Sequence, residues 1–301
     1  MNNAEVGARL RVLGVAASIS MCACGSGAPG VETDEEYAER IATHREERVN
    51  RLRSSWLTVA GLYWLAEGDN AFGSAPGNAI VFPLDASPDV AGSFNYRDGE
   101  VLLRPSPGAG LTVDGEPARE MRVTAGPERE QIGLGRLTFF VIERTGKHAI
   151  RLRDPEFHAL TNFRGIDFYP ADRSFSVEGT LVPYDEPRTL MIETVIGMDA
   201  EMVSKGKVEF VLAGRTHALE ALESSERELF LIFKDETTGT ETYDAGRYLY
   251  APVEGGRVSI DFNTAFNPPC SFTPYATCPL PPPGNTIDAT IAAGEQAYHS
   301  E

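Results

Sequence analysis

The stretch RLTFFVIERTGKHAIRLRD, residues 136–154, decides the fold class. It holds two runs rich in Leu, Ile, Val and Phe, and the Thr145-Gly146 pair between them is typical of a tight β-hairpin turn. Apolar and charged residues alternate with a period of two in the second half, as they do in a strand with one buried face. The stretch therefore predicts two adjacent antiparallel strands that belong to one continuous sheet.

Similar short runs recur along the chain after residue 55. They lie at 56–61, 79–83, 100–104, 111–113, 189–197, 207–214, 228–235, 246–250 and 257–262. Turn pairs separate several of them, namely Asp98-Gly99, Asp114-Gly115, Thr238-Gly239 and Gly255-Gly256. Because no strand alternates with a long helix, a parallel α/β sheet is disfavoured. The pattern predicts a mainly β fold, with one antiparallel β-sandwich followed by a second antiparallel β-sandwich or barrel.

One helix is predicted over residues 33–54, before the strands begin. Thr33 and Glu36 fit a capping box, and the acidic residues near its start and the arginines near its end suit the helix dipole. Its narrow apolar side consists of Tyr37, Ile41, Val49 and Leu52. We therefore expect this amphipathic helix to pack by one face and to keep its charges in water.

The composition excludes one class of partner. The 301 residues include 27 Lys and Arg against 44 Asp and Glu, which gives a net charge of −17. Electrostatic binding to nucleic acid needs clustered Lys and Arg, and the sequence has no basic tract. We therefore expect no nucleic-acid partner, and the length leaves room for about two folded domains.

Residues 1–23 have the pattern of an export signal, because two arginines precede an uncharged run that is too short to span a bilayer. The run ends in MCACGSG (21–27), which resembles the lipobox of bacterial lipoproteins and makes Cys24 the predicted lipidation site. Residues 24–32 then form a tether. The other interpretation is an ordinary secretory signal cleaved near Ala23. Either one predicts export, and lipidation predicts the bacterial cell envelope, with a membrane anchor on its periplasmic or extracellular face.

Two cysteines, Cys270 and Cys278, remain once the signal is set aside. In an oxidising envelope such a pair favours one disulfide, and free or reactive thiols are the other interpretation. The five histidines are scattered, and no other Cys or His lies close by in sequence to complete four ligands, so we predict no metal and no cofactor. A disulfide would pin the long Pro-rich stretch DFNTAFNPPCSFTPYATCPLPPP (261–283).

The segments GDNAFGSAPGNAIVFP (68–83) and VDGEP (113–117) resemble the core pattern of a forkhead-associated (FHA) β-sandwich. The resemblance implies an FHA-like fold over residues 55–145. FHA domains bind phosphothreonine through an Arg after the Gly and through a Ser-x-x-His loop. Here Ser74 follows Gly73, and no Ser-x-x-His loop follows. Because the guanidinium supplies most of the attraction for a phosphate, the resemblance does not extend to phosphopeptide binding.

Four longer motifs occur in one order along the chain. They are WLTVAGLYWLAEGDNAFGS (56–74), FRGIDFYP (163–170), DETTGTETYDAGRYLY (235–250) and DFNTAFNPPCSFTPYATCPLPPPGN (261–285). By these motifs the chain resembles the DUF1684 family of uncharacterised bacterial proteins, from Trp56 to its C-terminus. In that family a Glu commonly precedes the residue that matches Asn285, whereas this chain has Gly284. The resemblance implies kinship and no particular activity.

The C-terminal motifs supply the candidate ligand-binding residues. These are Glu241, Tyr243, Arg247, Asp261 and Asn267. The tight turn predicted at Thr238-Gly239 places Glu241 beside a hairpin. In the functional interpretation the five side chains line a polar pocket, where Arg247 holds an anionic group or a carboxylate acts as general base. In the structural interpretation Glu241 and Arg247 form an ion pair, and Asp261 and the asparagines hold the Pro-rich loop.

Known catalytic signatures are absent: the sequence has no G-x-S-x-G, no H-E-x-x-H, no Walker A motif and no dinucleotide-binding loop. In FRGIDFYP, alternation puts Arg164 on one face of a strand and both Asp167 and Tyr169 on the other. The favoured function is binding of a small molecule, a glycan or a protein through the C-terminal β-domain, residues 146–301. The alternative is a metal-independent envelope hydrolase that uses carboxylate, Tyr and Arg residues of the same domain.

Overall fold

The computed structural model describes residues 32–299 and begins with helix α1, Asp34–Ser54. The predicted signal (1–23), Cys24 and all but the last residue of the predicted tether lie outside the described residues. One face of α1 is buried, as the sequence predicts, and it includes Arg48 where the apolar pattern indicates Val49. Neither α1 nor any other described helix has the length and apolar character needed to cross a membrane.

Two facing sheets follow the helix. Their strands are β1 Val59–Trp64, β2 Gly68–Gly73, β3 Ile80–Val81, β4 Gly92–Arg97, β5 Glu100–Pro105, β6 Thr112–Val113, β7 Glu116–Pro117, β8 Met121–Val123, β9 Ile132–Leu134, β10 Leu137–Arg144 and β11 Lys147–Arg153. One sheet has the order β1-β11-β10-β9-β6-β7, and the other has the order β3-β2-β4-β5-β8. The pairing is antiparallel except between β2 and β3.

An aromatic core lies between the two sheets. Phe72 and Phe94 come from one sheet and Phe139 comes from the other, and none of the three is exposed. The ring centroids of Phe72 and Phe94 are 4.9 Å apart, and those of Phe72 and Phe139 are 5.5 Å apart. Because aromatic side chains bury large apolar areas, this cluster is the main hydrophobic contact between the sheets. The predicted antiparallel β-sandwich is confirmed.

Strand β11 places the boundary between the two β-domains later in the chain than the sequence predicts. The predicted sandwich ends at residue 145, and the predicted second domain begins at residue 146. The structure pairs β11 with β10 and also with β1, so β11 lies inside the first sheet. Thr145 and Gly146 have φ values of 51° and 76°, which suit a two-residue hairpin turn that keeps both strands together. The sandwich therefore extends to Arg153.

The second β-domain is a closed barrel. Its strands are β12 Ser176–Glu193, β13 Asp199–Leu212, β14 Arg215–Ser225, β15 Glu228–Phe233, β16 Arg247–Glu254 and β17 Arg257–Asp261. They pair antiparallel in sequence order, and β17 returns to pair with β12. A short helix, α2 His158–Thr161, lies between the sandwich and the barrel in the chain. Of the two forms predicted for this domain, sandwich or barrel, the barrel is found.

After β17 the chain runs without further strands through residues 262–299, and it packs on the barrel. Phe262, Ile287 and Ile291 belong to the apolar cluster of the barrel. The side chain of Asn285 fills a gap between β14 and β15: its Oδ1 accepts from the Glu220 N–H at 2.7 Å, and its Nδ2 donates to the Ile232 carbonyl at 2.9 Å. The amide therefore satisfies backbone groups where the two strands have separated.

Two glycines give a matched test of the sandwich geometry. Gly73 ends β2 with a φ of 149°, and a Cβ there would lie 2.4 Å from the backbone oxygen of Asp89. Gly99, in the turn between β4 and β5, has a φ of 80°, but a Cβ there would meet nothing within 4 Å. We expect Gly99→Ala to lower the free energy of unfolding by about 1 kcal/mol. Gly73→Ala should lower it by about 3 kcal/mol or more, because a backbone clash adds to the strain.

Urea denaturation of both variants checks this expectation. Equal losses of stability would show that the close approach of Asp89 to Gly73 is not a constraint on the sandwich.

Candidate functional site

Arg247, the central candidate residue, lies at the start of β16 and is 1% exposed. Its Nη2 donates to Asp235 Oδ2 at 2.7 Å and to the Ile291 carbonyl at 3.0 Å, and its Nη1 donates to the Ala293 carbonyl. Asp235 comes just after β15, and the pairing of Phe233 with Arg247 brings the two charges together. The guanidinium neutralises a buried carboxylate and attaches the C-terminal segment to the barrel.

Glu241 is not the partner of Arg247, so the ion pair expected between them is wrong. The residues that connect β15 and β16 form a compact loop instead of a tight two-residue turn. Asp235 accepts a hydrogen bond from the Thr237 N–H at 2.8 Å at the start of this loop. Glu241 is exposed, and it accepts a hydrogen bond from the Tyr169 hydroxyl at 2.9 Å. Its carboxylate therefore lies outside the Arg247 network.

Asp261 joins helix α1 to the barrel. Its Oδ1 accepts from the Asn263 N–H at 3.1 Å and so caps the 3₁₀ turn that follows β17. The same carboxylate accepts from the Tyr37 hydroxyl at 3.0 Å, and Arg40 Nη2 lies 3.4 Å from its other oxygen. Burial and the negative charge of Asp261 raise the pKa of Tyr37. These contacts assign a structural role to Asp261.

Asn267 is fully buried and belongs to a second hydrogen-bond network, which includes Arg48 of helix α1. Its backbone N–H donates to Glu295 Oε2 at 2.7 Å, and its carbonyl accepts from Arg48 Nη2 at 2.8 Å. Arg48 Nε also donates to Glu295 Oε1 at 2.7 Å. Burial raises the pKa of Glu295, and the charge of Arg48 opposes that rise. Asn267 therefore holds the Pro-rich stretch against the helix, as the structural interpretation expects.

Tyr243, the last of the five, contacts the two cysteines. Its hydroxyl donates to Cys270 Sγ at 3.6 Å, and the Cys270 N–H donates to Cys278 Sγ at 3.3 Å. Both cysteines are free thiols in the structure, so the disulfide stays a prediction. The hydrogen bond from Cys278, followed by that from Tyr243, lowers the pKa of Cys270. The hydrogen bond to Cys270 and burial raise the pKa of Cys278. Cys270 is therefore the more acidic thiol.

The five predicted residues thus belong to separate networks and do not converge on one pocket. Two clefts among the described residues are large enough for a ligand. The first, which we call the thiol cleft, has a volume of about 880 Å³. Its lining includes His158, Arg164, Asp167, Cys270, Thr273 and Tyr298. Arg164 and Asp167 share this cleft, contrary to the expectation of opposite strand faces, because FRGIDFYP does not form a strand.

The second cleft, which we call the helix groove, lies between α1 and strands β15–β17 and has a volume of about 890 Å³. Its lining includes Arg40, His44, Arg51, Trp56, Phe230, Tyr250, Asp261 and Phe266. Of the predicted residues, Asp261 lines this groove. Sequence spacing does not reveal the other residues, because they come from α1, from strands and from connecting segments that meet only in the fold.

A row of aromatic rings forms the floor of the helix groove. Tyr250 lies between Phe230 and Phe266, with ring centroids 5.0 and 5.7 Å apart and interplanar angles of 26° and 23°. The guanidinium of Arg48 covers the Phe266 ring at 4.8 Å. Tyr250 is 46% exposed. Since its two faces are stacked, the groove presents ring edges, which carry the positive end of the aromatic quadrupole.

Comparison with known proteins identifies the C-terminal half. Residues 161–296 match the family described as "Protein of unknown function (DUF1684)". Through this segment the chain is similar to the DUF1684 family. The match includes the three later motifs and leaves out WLTVAGLYWLAEGDNAFGS (56–74), so the similarity covers a shorter span than the four motifs predict. The family description assigns no activity, and no curated protein matches the chain.

Solved structures give more distant likenesses. An uncharacterised protein of Haloarcula marismortui is 30% identical, with 45% of this chain and 78% of that chain covered and a TM-score of 0.39. An FHA domain from a study of phosphothreonine-dependent interactions and the FhaA FHA domain are each 20% identical over 31% of this chain, with TM-scores of 0.23. The matched regions cover 92% of the first FHA domain and 97% of the second. The FHA-like character of the sandwich stays a resemblance.

The ligand-site and structural interpretations of Arg247 predict different effects of its removal on the free energy of unfolding. Arg247→Ala leaves the Asp235 carboxylate buried without its partner, so we expect the free energy of unfolding to fall by about 3–5 kcal/mol. The matched control is Arg215, which lies 2.8 Å from Asp288 in a pair whose side chains are 64% and 81% exposed. Arg215→Ala should cost at most about 1 kcal/mol, because solvent screens that pair. Urea denaturation measures both, and an unchanged stability of Arg247→Ala would restore the ligand-site interpretation.

The thiol contact predicts a redox-dependent stability. Cys270 and Cys278 are separated by 8 positions, so a disulfide between them should stabilise the fold by about 2–3 kcal/mol through loop closure. Thermal unfolding with and without a thiol reductant measures this, and peptide mapping by mass spectrometry identifies the bond. The double variant Cys270→Ser/Cys278→Ser is the control and should not respond to reductant. Two free cysteines after treatment with oxidant would rule the disulfide out.

Proposed function

We propose that this protein is an exported, lipid-anchored envelope protein that binds a small amphipathic anion in the helix groove. Export and anchoring are supported by the sequence of residues 1–32, with its uncharged run and its lipobox-like cysteine at Cys24. Ligand binding is supported by the groove itself, which lies on the barrel of the C-terminal domain.

The proposal is supported by one observation: the helix groove has an aromatic floor and a basic wall. Phe230, Tyr250 and Phe266 give an apolar surface of positively polarised ring edges. Facing them, helix α1 contributes the guanidinium groups of Arg40 and Arg51. A ligand with an apolar body and an acidic group matches both surfaces, as small-molecule sites usually combine apolar lining with a few oriented polar groups.

The two guanidinium groups are accessible to an acidic ligand. Arg40 contacts Asp261 at 3.4 Å and Arg51 contacts Glu47 at 3.7 Å, and the two arginine side chains are 48% and 60% exposed. The Arg51–Glu47 pair is exposed on both sides and contributes little stability, so a ligand anion competes with it at low cost, whereas the Asp261 side chain that pairs with Arg40 is 15% exposed. Burial lowers the pKa of His44, which leaves the arginines as the cationic groups of the groove at neutral pH.

The contacts favour binding over the hydrolase alternative. The carboxylates of Asp235, Asp261 and Glu295 each hold backbone groups or an arginine in place. A general base has to approach the proton that it abstracts, and these three groups are engaged in the fold. Glu241, the other candidate carboxylate, accepts from the Tyr169 hydroxyl and lies in the lining of neither cleft, so the hydrolase alternative is the weaker interpretation.

The test uses Trp56, which lines the groove, as a reporter. In a Trp64→Phe background Trp56 is the single tryptophan, and its fluorescence is followed during titration with dodecanoate below its micelle concentration. Dodecyltrimethylammonium has the same chain with a cationic head and should bind at least about tenfold more weakly. The variant Arg40→Gln/Arg51→Gln should weaken dodecanoate binding by a similar factor, whereas Arg122→Gln, on an exposed strand of the sandwich, should not.

Equal binding of the two surfactants, or an unchanged dissociation constant in Arg40→Gln/Arg51→Gln, would contradict the proposal. Loss of dodecanoate binding in Arg122→Gln as well would point to general surface charge rather than to the groove.

A further inference from the structure

Four arginines gather on the outer face of the sandwich sheet that contains β10 and β11. We call Arg129, Arg144, Arg151 and Arg153 the arginine cluster. Arg151 and Arg153 are on β11, Arg144 ends β10, and Arg129 comes from the loop before β9. None of the four forms an ion pair with a carboxylate of residues 32–299, although acidic residues outnumber basic ones in this chain. A concentration of like charge without counter-charge needs a physical explanation.

Arg151 is the buried member of the cluster. It is 5% exposed and pairs across the sheet with Leu62 on one side and Phe140 on the other. Its guanidinium stacks on the Trp56 ring at 5.0 Å. Its Nε and Nη2 are buried and have no hydrogen-bond partner among the described residues. Because a guanidinium does not lose its charge in a protein, an unpaired one at this depth is costly.

The neighbouring arginines add to the cost instead of relieving it. Arg129 and Arg153 both stack on the Phe140 ring, with guanidinium carbons 4.2 and 5.2 Å from the ring centroid. Their Nε atoms are also buried without a partner. Burial, reinforced by the charges of Arg144 and Arg153, lowers the pKa of Arg151 to about 10. Arg129 Nη1 donates to the Gly126 carbonyl at 2.7 Å, but stacking on the aromatic rings leaves the Nε donors of Arg129, Arg151 and Arg153 unused.

The cluster opens to solvent at one side. Arg144 is exposed, and Arg129 and Arg153 are half-buried. Arg144 Nη1 donates to the Glu143 carbonyl at 2.7 Å, and its Nε donates to Thr277 Oγ1 at 3.3 Å, so the Pro-rich stretch forms one border. The exposed positive charge at this border attracts anions from solution toward the buried guanidinium, which favours their capture.

We propose that the arginine cluster binds a small multivalent oxyanion, a phosphoryl group or a polycarboxylate. Its oxygens accept hydrogen bonds from the unused Nε and Nη2 donors of Arg151 and from Arg129 and Arg153. Guanidinium groups form planar, paired hydrogen bonds with both kinds of oxyanion. More than one negative charge is required, because a single charge leaves several arginines of the cluster uncompensated. The site adjoins the helix groove, because Arg151 stacks on Trp56, which lines that groove, but its ligand needs no apolar part.

The experiment measures thermal unfolding and calorimetric binding with phosphate, pyrophosphate, sulfate and citrate, each against NaCl at the same ionic strength. We expect at least one of these anions to raise the melting temperature above the NaCl value, since a ligand of the native state stabilises it. Phosphate and pyrophosphate acting without citrate would identify a phosphoryl ligand, and citrate acting alone would identify a polycarboxylate.

Arg151→Met supplies the decisive comparison, because it removes the charge and keeps an apolar chain against Trp56. Without added anion, this variant should melt at a higher temperature than the parent, since an unpaired buried charge has gone. With anion, its affinity should fall at least tenfold. The control Arg122→Met removes an arginine that lies 2.8 Å from Glu100 on the exposed side of the other sheet, and it should keep full affinity.

If Arg151→Met does not fold, Arg129→Met carries the same comparison from a loop. The proposal is overturned if no anion exceeds NaCl at matched ionic strength. It is also overturned if the cluster variants and Arg122→Met lose affinity by the same factor.

Discussion

The buried pair of Arg247 and Asp235 is the contact on which the C-terminal half depends. Two opposite charges cancel there, but a guanidinium has more donors than one carboxylate accepts, and further N–H groups on Nη1 and Nη2 bind the carbonyls of Ala293 and Ile291. The C-terminal segment has no strand partner for those carbonyls, so this arginine replaces a sheet edge. The path of the segment then places Glu295 beside Arg48, and that second pair fixes helix α1 and one wall of the helix groove.

This dependence explains why the most distinctive polar residues of the C-terminal motifs are not a ligand site. Arg247 and Asn267 satisfy carbonyl groups of the long irregular segment, and Asn285 of that segment satisfies backbone groups of β14 and β15. A segment rich in proline has few N–H groups of its own to form regular structure, so it needs side chains from the barrel. The surfaces left for ligands are those built by several elements together: the helix groove, the thiol cleft and the arginine cluster.

The sequence predicted the parts of the fold that depend on local patterns. Period-two alternation and turns such as Thr145-Gly146 identified the hairpins, and the helix followed from its caps and charges. It did not predict that β11 closes onto β1, because such pairing depends on contacts distant in sequence. The candidate site failed for the same reason: spacing suggested Glu241 as the partner of Arg247, whereas Asp235 is brought there by the register of β15 and β16. The thiol contact was predictable because Cys270 and Cys278 lie 8 positions apart.

Arginine is strongly preferred over lysine in this chain. Of the 27 basic residues, 4 are lysines and the rest are arginines. A guanidinium stacks on an aromatic ring and still directs its donors sideways, which an ammonium group does not do. Arg48 and Arg247 use both properties, because each stacks on a phenylalanine and directs its N–H groups to carboxylate and carbonyl oxygens. Arg151 stacks on Trp56 in the same way, but its Nε and Nη2 meet no acceptor. Arg48 and Arg247 are therefore paired with carboxylates of the fold, whereas Arg151 has no such partner among residues 32–299. This difference distinguishes a structural arginine from one whose charge a ligand anion can compensate.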